Sequence, residues 1–178
     1  PGELCRPNDD GVIDRAEAPF GPGLMARYRA ARDVGVDTAG SDRGGGRRRW
    51  DFEAALPGDR DLDVDTQPLD GRWFADRFPG ADYTARLAGD AALLGVFRVT
   101  ASTLGLVGVV SPDDGPTRTE LRYEPPVRVL VFPLEHGARW TSETRVTGWA
   151  QGLAANYGET YESAVDARGE VRTPFAPF

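Results

Sequence analysis

Glycine and proline interrupt this chain so often that short strands and turns suit it better than long helices. Of its 178 residues, 22 are glycine and 14 are proline. Between the breaks, side chains alternate. Leu24, Ala26, Tyr28 and Ala30 interleave with Met25, Arg27 and Arg29, as on a strand with one wet face. Residues 1–23, with Pro1, Pro7, Pro19 and Pro22, read as a loop segment ahead of a single β domain over 24–178. Gly44-Gly45-Gly46 forces a turn and Trp50-Asp51-Phe52 resumes an extended pattern, so residues 24–53 are expected to form a hairpin. Residues 57–70 carry Asp59, Asp61, Asp63, Asp65 and Asp70 and read as an acidic connector. Trp73 to Phe78 reads as a helical turn that stops before Pro79.

From there the pattern is persistently β. Strands are expected over 83–88, 93–101, 104–110 and 117–124, the last broken by Pro125-Pro126. Further strands are expected over 127–134, 139–151, 156–165 and 171–175. Strands joined by short turns make an antiparallel meander. Trp140 shares a phase with Ser142 and Val146, and Trp149 falls on the other; either the strand bulges near Gly148 or one tryptophan faces out.

The formal net charge is −7 and every one of the 21 basic residues is arginine. Binding nucleic acid requires a positive field, which the surface as a whole does not supply. No apolar run reaches the roughly 20 residues that cross a bilayer, so no transmembrane segment is expected. The chain begins Pro1-Gly2 without a methionine and reads as a mature or trimmed product. Cys5 is the only cysteine, which excludes an internal disulfide and leaves a free or intermolecular thiol.

Asn8-Asp9-Asp10-Gly11-Val12-Ile13-Asp14-Arg15-Ala16-Glu17 nearly spells the loop of a calcium-binding EF-hand. With Gly11 at the invariant glycine, Asn8, Asp10, Asp14 and Glu17 supply side-chain oxygens and Val12 a backbone carbonyl. Arg6 stands where the motif has Asp, and neither flanking helix is present in the pattern. The loop is a candidate for weak, structural Ca²⁺ binding, at roughly 10⁻⁴–10⁻³ M. The alternative is an acidic turn whose Asx side chains cap local amides.

No other motif carries a reaction. His136, the only histidine, lies in a hairpin turn with no nucleophile motif to serve. Glu120, Glu124, Glu143, Glu159 and Glu162 all sit on strand-like segments, where a charge on the wet face is the ordinary explanation. Arg43 to Trp50 is basic with an aromatic beside it, and reads as a solvated hairpin tip.

The run Tyr123-Glu124-Pro125-Pro126-Val127 through Pro133-Leu134-Glu135-His136-Gly137-Ala138-Arg139-Trp140 resembles a signature of bacterial secreted and lipoprotein-like envelope proteins. In these a strand ends in Pro-Leu, a turn carries Gly, and Trp opens the next strand. Val165 to Pro174 is similar to their following element. The resemblance spans residues 83–178 and departs after Pro174, where Phe175-Ala176-Pro177-Phe178 lacks the usual glycine. It implies a fold like that of the lipoprotein carriers LolA and LolB: mainly β, a strongly curved antiparallel sheet or half-barrel with little helix. It also implies a secreted or cell-envelope location, and it carries over no catalytic residue.

The function expected on these grounds is a non-enzymatic envelope or extracellular β protein that binds a hydrophobic small molecule or lipid in a concave sheet. Two alternatives stand beside it. One is a self-associating structural subunit that pairs through exposed strand edges. The other is a glycan-binding or glycan-cleaving protein that uses carboxylates and tryptophans.

Overall fold

The structure is a computed structural model and describes residue 8 and residues 10–87 and 92–175. The front of the chain holds β1 (Val12–Ile13), a 3₁₀ turn at Arg15–Glu17, β2 (Met25–Ala30), β3 (Ser41–Asp42), β4 (Arg47–Asp51) and β5 (Arg60–Gln67). A second 3₁₀ turn at Ala75–Arg77 leads to β6 (Tyr83–Arg86), β7 (Leu94–Val99) and β8 (Thr103–Val110). The back half is β9 (Glu120–Val131), β10 (Leu134–Glu135), β11 (Arg139–Ala150), β12 (Leu153–Ala164) and β13 (Arg168–Arg172). The protein is mainly β, and the described residues contain no α-helix.

The principal sheet has eight strands in the order β12-β11-β9-β8-β7-β6-β5-β2, antiparallel throughout. A three-stranded sheet, β13-β4-β3, and the small pair β1-β10 lie apart from it. None of these sheets is closed or strongly curled, unlike the strongly curved half-barrel expected. Among the described residues there is no α-helix for such a sheet to wrap, and each face is filled locally by side chains.

One face is filled by Leu69, Phe74 and Phe78, which pack on Val96, Val107 and Val110. Gly108 makes this close approach practicable: a Cβ there would lie 2.1 Å from the Phe78 ring. The other face is built from Val109, Leu121, Tyr123, Val127 and Val146, with Leu87 and Leu93 packed against them. Phe74, Val96, Val110 and Val146 are fully buried, which places the core under β7 to β11.

Several elements differ from the sequence reading. Residues 24–53 are not a hairpin: β2 pairs with β5, Met25 opposite Asp65 through Ala30 opposite Arg60. The supposed acidic connector is therefore largely strand β5. Its aspartates are matched across the pair, with Arg27 Nε 2.7 Å from Asp63 and Arg29 Nε 3.3 Å from Asp61. The antiparallel pattern also has an exception, since β13 runs parallel to β4.

Pro125-Pro126 does not end a strand; β9 runs through it. The pairing with β8 jumps from Leu106–Val127 to Gly108–Arg122, so residues 123–126 bulge opposite Val107. Prolines have no N–H to donate, and such a bulge is where they are tolerated. Beyond it the backbone pairing of β9 with β11 ends at Glu124, and β11 side chains take over. Thr144 Oγ1 donates to Pro125 O at 2.7 Å, Trp140 Nε1 donates to Arg128 O at 2.8 Å, and Ser142 Oγ accepts from Arg128 N at 3.0 Å.

Candidate functional site

The loop singled out in the sequence folds onto itself. Asp10 Oδ1 accepts from Val12 N at 2.8 Å, and Asn8 Oδ1 accepts from Asp10 N at 3.0 Å. Glu17 spans the loop, accepting from Asn8 N at 3.1 Å and from Asp14 N at 2.8 Å. Glu17 thus closes a capping box with Asp14 at the 3₁₀ turn. Val12 pairs with Glu135 across β1–β10. The five predicted ligands are therefore neighbours: Asn8 Oδ1, Asp10 Oδ1 and both Glu17 oxygens accept from backbone amides, and Asp10 Oδ2 accepts from Asn8 Nδ2 at 3.0 Å. Among the described residues, no three His, Cys, Asp or Glu side chains converge as a metal set. The Arg168 guanidinium lies 3.0 Å from the Cβ that Gly11 lacks, so a cation borders the loop. Arg6 and Cys5 lie outside the described residues. A cleft of about 670 Å³ separates the loop from Leu134, Val165 and Arg168.

Two other places collect charge or polar groups. Glu120 is only 6% exposed and so does not sit on a wet face as expected. Arg122 Nη2 is 2.9 Å away, with Arg118 Nε at 3.7 Å and Arg77 Nη1 at 3.9 Å. Arg118 and Arg122 in turn cover the rings of Trp73 and Phe78. This buried carboxylate is compensated by guanidinium groups, as a buried charge must be, and it ties β9 to the core-covering segment. The second place is the bulge of β9. It borders a cleft of about 430 Å³ lined by Arg98, Pro126, Arg128 and Ser142 among others. His136 is exposed in its turn, with Nε2 3.2 Å from Asp166 O.

The basic stretch is a solvated tip only in part: its glycine turn is exposed, but β4 is the middle strand of the three-stranded sheet. Arg47 to Asp51 form β4 after the glycine turn, and Arg49 is held by Glu170 at 2.7 Å. Arg172 first, then Arg49, hold the Glu170 carboxyl below its ordinary range.

Strand β12 presents a long exposed edge. It forms a hairpin with β11 in unbroken register, from Arg139 opposite Ala164 to Ala150 opposite Leu153. The turn between them is Gln151-Gly152, both at positive φ (51° and 82°), as a tight two-residue hairpin turn requires. At about 3.4 Å per residue, the strand runs roughly 40 Å. It ends the eight-stranded sheet, and among the described residues nothing pairs with its outer side. Residues flanking a two-residue turn form a hydrogen-bonded pair, and such pairs alternate along a ladder. Leu153, Ala155, Tyr157, Glu159, Tyr161 and Ser163 therefore turn their amides toward β11. Ala154, Asn156, Gly158, Thr160 and Glu162 turn theirs outward.

The side chains of this edge are exposed as well. Leu153 is 74% exposed, Tyr157 44% and Tyr161 38%. They extend the apolar face that Val146 and Tyr123 begin, because Val146 pairs with both Tyr123 and Tyr157. Tyr161 donates a short hydrogen bond to Glu159. Burial, then the Glu159 charge, pushes the Tyr123 phenol up to about 12. Burial and Glu159 also raise Tyr157 and Tyr161. On the opposite face Trp149 is 50% exposed; the register past Gly148 is unbroken, so this is the tryptophan that faces out.

The sequence reading placed strands at 139–151 and 156–165 but did not join them. The signal that could have joined them was Gln151-Gly152 set between two long alternating runs. No family model matches the chain, and no curated protein or solved structure matches it either.

Proposed function

We propose that this chain is a non-enzymatic β protein of the cell envelope or extracellular space, and that it works by adding a partner strand to its β12 edge. One observation carries the proposal: twelve consecutive residues with an open outer side, no proline, no bulge and exposed apolar side chains. An open edge presents a row of unpaired N–H and C=O groups, which is a template for another strand. Main-chain hydrogen bonds would supply affinity, and Leu153, Tyr157 and Tyr161 would supply side-chain contact.

This reading is preferred to a hydrophobic-ligand carrier on packing grounds. A carrier needs an unfilled apolar inner face. Here Phe74 and Phe78 fill one face of the central strands, and Leu87 and Leu93 pack on the other. The cleft at the β9 bulge is lined by Arg98, Arg128 and hydroxyl side chains, and the cleft beside the amino-terminal loop by charged residues such as Asp10, Glu17 and Arg168.

The test is Thr160→Pro. Thr160 directs its N–H outward, so proline there removes one donor from the edge and none from the β11–β12 ladder. Sedimentation velocity of the purified protein over a wide concentration range should show association for the parent and its loss for the variant, with the melting temperature nearly unchanged. A parent that stays monomeric and captures no strand-forming peptide would end the proposal.

A further inference from the structure

The residues along β12 say more than that its edge is open. Resting on the edge-pairing reading above, we infer that the partner strand is β12 of a second copy, antiparallel, with the two-fold axis passing beside Gly158.

Two copies joined this way would continue one sheet across the axis, each giving its outward residues Ala154, Asn156, Gly158, Thr160 and Glu162. Outward residues must face outward residues, so only alternate registers exist. Two of these overlap the strands most fully. In one, Gly158 faces Gly158; in the other, Glu159 faces Glu159.

Side-chain chemistry separates them. The second register sets two carboxylates directly opposite each other in a non-hydrogen-bonded pair, with Cα atoms about 4.5 Å apart, and like charges so placed are destabilising. The first register sets Tyr157 of each copy against Glu159 of the other. Each Glu159, already the acceptor for Tyr161 of its own chain, then gains a second phenol. The remaining pairs are also compatible: Asn156 meets Thr160, Ala155 meets Tyr161, Leu153 meets Ser163 and Ala154 meets Glu162. Glycine is the residue that sits on the axis, where two identical side chains would otherwise meet. The Gly158 site has room, since the nearest atom to a Cβ built there is Thr144 O at 3.8 Å.

Such an interface is isologous and consumes the edge that makes it, so association stops at a dimer. The same register brings the exposed phenols and the open amides under cover together.

The experiment is a pair of single-cysteine variants, Gly158→Cys and Glu159→Cys, each carrying Cys5→Ser, oxidised mildly and run on non-reducing gels beside sedimentation velocity. In the inferred register the two residues 158 lie about 5.5 Å apart at Cα, within disulfide range, and the two residues 159 are diagonal at about 7–8 Å, beyond it. Gly158→Cys should convert nearly completely to a covalent dimer and Glu159→Cys should stay monomeric under the same conditions. Cross-linking of Glu159→Cys in preference to Gly158→Cys would overturn the inference. If neither variant cross-links while the parent still associates and Thr160→Pro still abolishes it, the edge reading stands and the self-pairing falls. If Thr160→Pro leaves association intact, both fall.

Discussion

The two edges of the eight-stranded sheet both expose apolar side chains, Met25 and Tyr28 on β2 among them, but differ in length and charge. At one end β2 is six residues long, and Arg27 and Arg29 project beside it. Each guanidinium is paired with an aspartate of β5, the first with Asp63 and the second with Asp61, and Arg29 also lies 3.9 Å from Asp59 just before that strand. A short strand carrying charges is a common way to keep an edge from pairing with other chains. At the other end β12 is twelve residues long and carries Leu153, Tyr157 and Tyr161 in the open, with Glu159 and Glu162 as its only charges. A molecule that guarded one edge and neglected the other by accident would be an aggregation hazard. A molecule that uses one edge would guard the other, so that pairing is directed to a single place.

The largest effect should come from the part the two edges share. Phe78 lies across Gly108 in the middle of the sheet and is 5% exposed. Phe78→Ala leaves a cavity there and should cost about 3–5 kcal/mol. Because β8 lies between both ends, tryptophan fluorescence and far-ultraviolet dichroism should report one shifted unfolding transition. A separate transition for the β11–β12 hairpin would show that the edges belong to different cooperative units, and the comparison would then be between two pieces and not two ends of one sheet.

How much of this was legible in the sequence follows from how local each signal is. Strands β6, β7 and β8 and the turn before Pro79 were readable because alternation and turn residues are local. Strand β5 was misread because Asp61, Asp63 and Asp65 are poor strand formers on their own. They become acceptable only opposite Arg27, Arg29 and Met25, a pairing that spans more than thirty residues. The parallel pairing of β13 with β4 is more distant still, with Arg49 and Glu170 separated by 121 positions. The loop at residues 8–17 was readable as an Asx-rich turn, because the hydrogen bonds of the Asn8 and Asp10 side chains join residues within that stretch. The status of β12 was not readable at all. Its residues look like those of any wet strand, and being last in a sheet is a property of the whole topology. The same holds in part for Glu120: Arg118 and Arg122 flank it in sequence, but Arg77 arrives from a distant segment.

An intermediate effect should appear at high pH, and it can be assigned to either end. Tyr123 lies beneath the β11–β12 face. Tyr83, stacked on Phe97 with ring centroids 5.2 Å apart, lies on β6 toward β2. Burial pushes each phenol up to about 12, against about 10 in an unfolded chain. A raised pKa in the folded state means that the stabilising contribution is whole below the unfolded value and is lost as pH climbs through the folded one. Melting temperature should therefore fall between about pH 10 and pH 12. Tyr123→Phe should reduce that fall, and if β12 pairs between copies, dimer dissociation should also move to higher pH. Tyr83→Phe should reduce the fall in melting temperature without moving dissociation. Equal effects of the two variants on dissociation would erase the distinction between the ends.

The smallest effect on stability bears most directly on the guarded edge. Arg27 and Asp63 are both well exposed, at 52% and 43% of their side chains. The hydrogen bond between them lowers the Asp63 carboxyl and raises the Arg27 guanidinium from their ordinary values. Solvent screens exposed pairs of this kind so that they contribute little, and replacing both arginines, Arg27→Thr with Arg29→Thr, should leave the melting temperature nearly unchanged. What should change is the state of association. Threonine favours strands, and its substitution removes the cations that keep the edge apart from other chains. A dimer joined through β12 exposes a β2 edge at each end, so opening both should turn a closed dimer into growing chains, seen as rising light scattering with concentration. Adding Thr160→Pro to the same variant should cut those chains back to short species joined through β2 alone. If the double arginine variant stays a dimer, the charges on β2 are ornament to its pairing, and its shortness alone is what keeps that edge closed.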